Sequence, residues 1–406
     1  MTLERFDIVI VGAGLVGASL AAALSHSALA NKLRIVVVDG GKPSIPPKDE
    51  KFDPRVVALT RQSQALFAEL GIWEQIEYPK NGGHRACPYT HMHVWDGEGT
   101  GQIDFDCHDI HQTNLGYIVE NSLLTHQLET FLAGKGNVEV YWQEKLIALE
   151  TGDENRIHLS SGRVLSAPLV LAADGANSQV RKLAQFQTRE WHYGHQAIVA
   201  TVKTELAHGF TAWQRFMASG PLAFLPLLTP GGDDHHSSIV WSLEEELAAE
   251  IVELDDEAFK QKLAQQFEAK LGAITWVDRR FCFPLIQRHA KTYCQPGIAL
   301  LGDAAHTIHP LAGQGVNLGL LDVQAMVAEI ERALDRGIPL DDYSILRRYQ
   351  RQRMGPNLAM MGLMEGFKQL FGSSNAWVTV LRNSGMGIVG SLPLVRNGLT
   401  KRAMGL

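Results

Sequence analysis

The chain has 406 residues, 45% of them hydrophobic and 20% charged, with a net charge of −7. That is enough apolar material for a sizeable core in two or three domains. An acidic balance without any lysine/arginine run excludes a nucleic-acid partner, and no apolar run approaches the ~18 residues of a membrane-spanning helix. Cys87, Cys107, Cys282 and Cys294 show no CxxC spacing and read as reduced packing thiols of a cytoplasmic protein. Glu4 and Asp7 lead into a sheet strand, which is not the pattern of a signal peptide.

In chain order, FDIVIV predicts a buried strand, GAGLVG at 12–17 a glycine turn, and GASLAAALSHSALA a helix. Strand, turn and helix in that order are the context that a dinucleotide fingerprint requires. Gly12 permits the tight turn, Gly14 lets backbone approach a pyrophosphate, and Gly17 lets helix and strand pack closely. The helix N-terminus offers unpaired N–H groups to phosphates. RIVVVD then ends at Asp39, placed to accept hydrogen bonds from a ribose diol.

RQSQALFAELGI predicts a further helix, and the polar stretch PKNGGHRACPY followed by HMHVWD leaves the cofactor domain. The pattern returns from Leu115 with a strand, a helix through NSLLTHQLETFLAG, more strands, and LVLAAD ending in Asp174-Gly175. From about 190 to 285, alternating strands and one helix near 256–271 predict an antiparallel sheet that floors a substrate pocket. PGIALL then leads to Gly302-Asp303, so Asp303 stands at a strand's carboxyl end, where ligands bind open α/β sheets. Asp303 suits the hydroxyls of a ribityl chain. Pro310 stiffens the turn, and Gly313 and Gly315 allow backbone to lie against a flat ring. The following helix aims its positive end at that ring, which suits the anion of a reduced flavin. Near the end, Met360, Met364, Phe367 and Phe371 form one apolar helical stripe, with Pro356 predicted to start or kink the helix. Such a stripe either docks on its own domain or serves a partner or lipid tail.

The fingerprint, the DG of ADGANSQVR and the GD of GDAAHTIHPLAGQGVNLG resemble, in order and spacing, the class A flavoprotein aromatic hydroxylases, the para-hydroxybenzoate hydroxylase group. With RVVALT at 55–60, LGYIVEN at 115–121 and a terminal AMGL, the chain is closer still to the ubiquinone-biosynthesis hydroxylases of 2-octaprenyl-phenols and quinols. The resemblance runs from Asp7 to Leu406.

That resemblance implies an α/β fold: a Rossmann-like FAD-binding domain (1–75, 105–188 and 290–345) interleaved with an antiparallel-sheet substrate domain (76–104 and 189–289), plus a C-terminal helical region (346–406). It implies tightly bound, non-covalent FAD, with NAD(P)H and O2 as co-substrates. The reaction implied is hydroxylation of a polyprenylated phenol or quinol through a flavin C4a-hydroperoxide, the protein supplying orientation and water exclusion. Arg55 would contact the cofactor, or else pair on the surface with Asp53 or Glu69, and Glu120 or Asn121 would lie at the neighbouring edge. Asp174 and Asp303 would hold the cofactor. The Pro310 carbonyl would approach C4a, and backbone around Gly315 and Asn317 would face the pyrimidine side. His306 and His309 act either as a phenol base or as loop-orienting groups. Arg215, Phe224 and Pro226 are candidates for the substrate wall. The remaining histidines match no metal-ligand spacing, so no metal is expected. A prenylated substrate implies peripheral contact with the inner membrane or a ubiquinone-biosynthesis complex. The alternative is a flavin hydroxylase of a small soluble aromatic acid, whose carboxylate would call for a cation such as Arg215 in the pocket.

Overall fold

The computed structural model describes residues 3–47, 51–79, 83–152, 154–308 and 314–371, with 383, 392, 396–398, 401 and 404 beyond them. Its central sheet is six-stranded, in the order Cys294–Gln295, Ile298–Leu300, Leu169–Ala172, Ile8–Val11, Ile35–Asp39, Val138–Trp142. From Ile298–Leu300 onward, neighbouring strands run parallel. Ile8–Val11 and Leu169–Ala172 are buried at every position, as strands covered on both faces must be. The helices Leu15–His26, Asn121–Ala133 and Gln314–Asp335 bury Leu20, Leu24, Leu124, Leu128, Val323 and Met326 in the same core as the strands. This parallel order places the carboxyl ends of three strands, and with them both glycine motifs and the DG pair, at one edge.

A nine-stranded sheet is the largest of the four sheets among the described residues. Thr188–Thr204, His236–Glu244, Leu222–Leu227 and Thr211–Phe216 pair antiparallel in that order, but His91–Asp96 then joins parallel to Thr211–Phe216. One face is covered by the helices Glu245–Val252 and Asp256–Gln266, over a core containing Phe224, Trp241, Phe259 and Phe267. The first of these helices was absent from the sequence expectation.

Between the two large sheets lies a three-stranded one, Val56–Thr60, Gly116–Glu120 and Cys87–Tyr89. Ala58, Cys87 and Ile118 on it pack against Leu225, Leu227 and Leu228. The segment 76–104 therefore divides, Cys87–Tyr89 joining the three-stranded sheet and His91–Asp96 the nine-stranded one.

The helix Tyr343–Phe371 contains Pro356 in its interior, where sequence placed a start or kink. The predicted stripe turns inward in part: Phe371 stacks on Phe216 at 4.2 Å, with Met364 packed beside it and Met360 near Ile308 and Leu318, while Phe367 is 38% exposed. Leu358, Leu363 and Leu370 face out. Among the described residues, no helix is long and apolar enough to cross a membrane.

Candidate functional site

The first glycine loop is built by close approach. Gly12 has φ +102°, and a β-carbon there would collide with the Ala173 carbonyl, while one on Gly17 would collide with the Gly12 carbonyl. Gly14 differs, because a β-carbon there meets nothing within 4 Å. It caps the helix Leu15–His26 without any side-chain hydrogen bond to the helix N-terminus. Asp39 closes the loop, accepting from Ala13 N and from Gly41 N, each at 2.6 Å. Beside it is a cavity of about 280 Å³ whose lining includes Ala13, Glu129, Leu132, Val140 and Trp142.

The second motif touches the first. Gly302 (φ +56°) and Gly319 both lie against Val16, close enough that a β-carbon on either would press on its side chain. Arg181 ties the DG pair to the GD turn by donating to Ala304 O at 2.9 Å and Ala176 O at 2.6 Å. Asp174 accepts from Gln179 N and Val180 N through one oxygen, and its other oxygen is buried without a partner. Burial raises the Asp174 carboxyl, though Ser178 and those backbone donors oppose it. Asp303 is open to the crevice yet crowded by protein atoms, and that crowding raises its carboxyl, His306 opposing.

Beneath the GD turn is a buried polar network that sequence reasoning missed. Asp322 accepts from Gly302 N (3.0 Å), from His306 Nε2 (2.6 Å) and from Arg353 Nε (2.7 Å). Asn357 bonds Asp322, Arg353 and the Tyr293 hydroxyl, which bonds His289. The signal was polar residues inside otherwise apolar helix faces: Asp322 within NLGLLDV, and Arg353 and Asn357 at i, i+4. His306 thus orients the turn from below, and its Nδ1 is buried without a partner.

Burial, with repulsion from His306 and Arg189, brings the His289 imidazole down to about 4. A histidine lowered on folding contributes stability that is complete above its unfolded pKa of about 6.5 and is lost as pH falls toward the folded value. The loss should reach roughly 3 kcal/mol at pH 4. Urea midpoints measured from pH 7 to 4.5 should fall more steeply for the wild type than for His289→Gln; equal slopes would remove His289 from acid unfolding.

The other sequence candidates stand as follows. Glu120 is 1% exposed, and its carboxylate accepts from Arg85 (2.7 Å) and the backbone N–H of Asp53 (2.7 Å). Arg55 is exposed, its guanidinium 5.8 Å from the Phe283 ring centroid. The Asn317 side chain bonds Thr60 N (3.0 Å) and Ala58 O (2.7 Å), stapling the helix Gln314–Asp335 to the three-stranded sheet; Gly315 stands just before it, close to Ile308. Strand alternation corrects the substrate wall. Phe224 stacks on Phe267 at 3.8 Å, under the helices, and Arg215 is held by the Gln266 carbonyl and by Glu268 on that same side. Pro226 shares the Phe224 face, so Leu225 and Leu227 meet the three-stranded sheet instead. His309, Pro310 and Gly313 lie outside the described residues. Asp106, Cys107 and His108, and likewise Asp233, Asp234 and His235, come close enough to share an ion, but Asp233 is engaged by Lys203 at 2.7 Å.

The residues fit FAD. An uncapped helix N-terminus with open space at Gly14 suits a pyrophosphate, the cavity beside Asp39 suits a flat heteroaromatic base, and the orphaned Asp174 oxygen and crevice-facing Asp303 suit hydroxyl donors.

The comparisons agree with this geometry. The family model described as "FAD binding domain" matches residues 5–355. The 3-demethoxyubiquinol 3-hydroxylase of Escherichia coli K12 is 35% identical over 100% of both chains. The human mitochondrial ubiquinone biosynthesis monooxygenase COQ6 is 32% identical over 94% of this chain and 88% of its own. Among solved structures, p-nitrophenol 4-monooxygenase from Pseudomonas putida superposes with a TM-score of 0.78 over 98% of each chain at 19% identity, a likeness of fold.

Proposed function

Because this chain belongs to the FAD binding domain family and is an FAD-dependent monooxygenase, we propose that it hydroxylates the aromatic ring of a polyprenylated phenol or quinol in ubiquinone biosynthesis. The observation that carries this reading is the 35% identity to 3-demethoxyubiquinol 3-hydroxylase over the whole of both chains. Arg215 supports it from the other side. A soluble aromatic acid needs a cation in the pocket, and Arg215 is spent on Gln266 and Glu268 beneath the opposite face of the sheet.

When bound, FAD supplies the reducing power and the activated oxygen for the hydroxylation, with NAD(P)H and O2 as co-substrates. The protein's part is to hold and to shield. The Gly12–Gly17 loop and the helix N-terminus behind Gly14 bind the pyrophosphate, Asp39 takes the ribose diol, and Asp174 and Asp303 take hydroxyls further along. Arg181 and the Asp322 network keep the DG and GD turns in register. Leu225, Leu227 and Val240 of the nine-stranded sheet face the three-stranded sheet and exclude water from the ring.

A long prenyl chain partitions into lipid, so the reading places the enzyme at the inner membrane surface or within a ubiquinone-biosynthesis assembly. Outward-facing Leu358 (45% exposed) and Leu363 (52%) favour such a contact. Lipid extracts from aerobically grown cells lacking this protein should accumulate a prenylated quinol short of one hydroxyl. Normal ubiquinone with no such intermediate would overturn the substrate assignment and return the soluble aromatic acid.

A further inference from the structure

An apolar slot holds a prenylated ring by area alone and leaves it free to turn about its own axis, so choosing one ring carbon requires a polar handle. Tyr89 stands where that handle is needed. It ends the strand Cys87–Tyr89 opposite Gly116, which on its other side pairs with Thr60. A β-carbon on Gly116 would meet the Tyr89 hydroxyl at 2.9 Å and its ring at 3.0 Å. The ring therefore lies across the middle strand, and the glycine is what leaves it room. Adjacent strands are about 4.8 Å apart, so this direction carries the hydroxyl toward the edge strand Val56–Thr60. That is the strand end whose Thr60 N–H and Ala58 carbonyl are both held by Asn317, at the start of the helix Gln314–Asp335.

The surroundings are apolar. Tyr89 packs against the cluster of Leu225, Leu227 and Val240 and against that of Leu115, Met92 and Phe105. It is only half-buried, and among the described residues no group hydrogen-bonds its hydroxyl. Burial pushes the phenol up to about 12, so at neutral pH it is a donor waiting in an otherwise apolar seam.

We propose that Tyr89 is a substrate-positioning residue, its hydroxyl donating to the ring oxygen of the phenol or quinol and so fixing which ring carbon faces the cofactor. This rests on the function proposed above. A tyrosine hydroxyl with no hydrogen-bond partner among the described residues leaves none of them unsatisfied when removed, so Tyr89→Phe should keep its FAD and its thermal midpoint.

The test is binding without turnover. Oxidised, FAD-loaded enzyme is titrated in the absence of oxygen and NAD(P)H with a geranyl-substituted phenol, and with the same molecule carrying hydrogen in place of the hydroxyl. Flavin absorbance reports the Kd of each. The wild type should prefer the phenol about tenfold, the worth of one well-made hydrogen bond. In Tyr89→Phe that preference should fall to parity or reverse, because the ligand hydroxyl is then buried unpaired. A preference retained in Tyr89→Phe, or absent in the wild type while both ligands bind, would overturn the role of Tyr89. Failure of the wild type to bind either ligand would instead overturn the prenyl-phenol reading beneath it. A general loosening of the pocket lowers both affinities together and leaves their ratio unmoved.

Discussion

Asp322→Ala should be the most destabilising single change in the protein, by about 3–5 kcal/mol, the range seen when one partner is removed from a buried ion pair. Asp322 and the His306 side chain are both 0% exposed, and Arg353 is 10% exposed. Removing the carboxylate leaves a guanidinium, an imidazole and the Gly302 N–H facing the same void. Burial alone would raise this carboxyl, yet the charges of His306 and Arg353 hold it below the usual carboxylate range. For a chain of this length, such a loss lowers the thermal midpoint on the order of 5 °C. The damage should also reach function, because Gly302 N–H anchors the turn that presents Asp303. Asp322→Asn preserves shape and one acceptor, and should fall between the wild type and the alanine variant in both stability and FAD content. A midpoint for Asp322→Ala within 1 °C of wild type would show that the network is slack.

The carboxylate sites were legible in the sequence because each is set by local covalent geometry: a strand end, a glycine that must lie against backbone, and a helix that must start. Gly12, Gly17, Asp39, Asp174 and Asp303 can be found by reading a few residues in either direction, and the structure puts them at one edge of the parallel sheet. Arg215 and Phe224 show what local reading lacks. Alternation says that Phe224 and Pro226 share a face and Leu225 and Leu227 the other, but only the docking of Glu245–Val252 and Asp256–Gln266 decides which face is which. The ion pair of Glu120 was hidden for a related reason, since its partner Arg85 lies thirty-five residues upstream and nothing in the spacing announces the pair. Pro356 lies inside Tyr343–Phe371 rather than at its start, with Arg353 before it and Asn357 and Met361 after it buried in the interior.

Gly14→Asp should yield a folded protein that does not hold FAD. The glycine loop is usually treated as one unit, but its three glycines stand in different surroundings. Gly12 and Gly17 are pressed against backbone, so any side chain there disturbs the sheet and helix themselves. Gly14 has ordinary extended backbone, φ −65° and ψ −178°, with open space where a side chain would go. It is also the N-cap of Leu15–His26, a position at which aspartate is among the favoured residues, typically by about 1 kcal/mol over residues that cannot cap. The apoprotein should therefore be as stable as the wild-type apoprotein, or slightly more so. FAD should be lost by more than about a hundredfold in affinity, since a carboxylate would occupy the space meant for the pyrophosphate and would take up the N–H groups that serve it. Apoprotein thermal midpoints, together with fluorescence titration of FAD, separate the two effects. Loss of both fold and cofactor would mean that Gly14 is packed like its neighbours. Retention of both would mean that the pyrophosphate does not rest on this helix, and the assignment of Gly12–Gly17 as the phosphate-binding turn would fall with it.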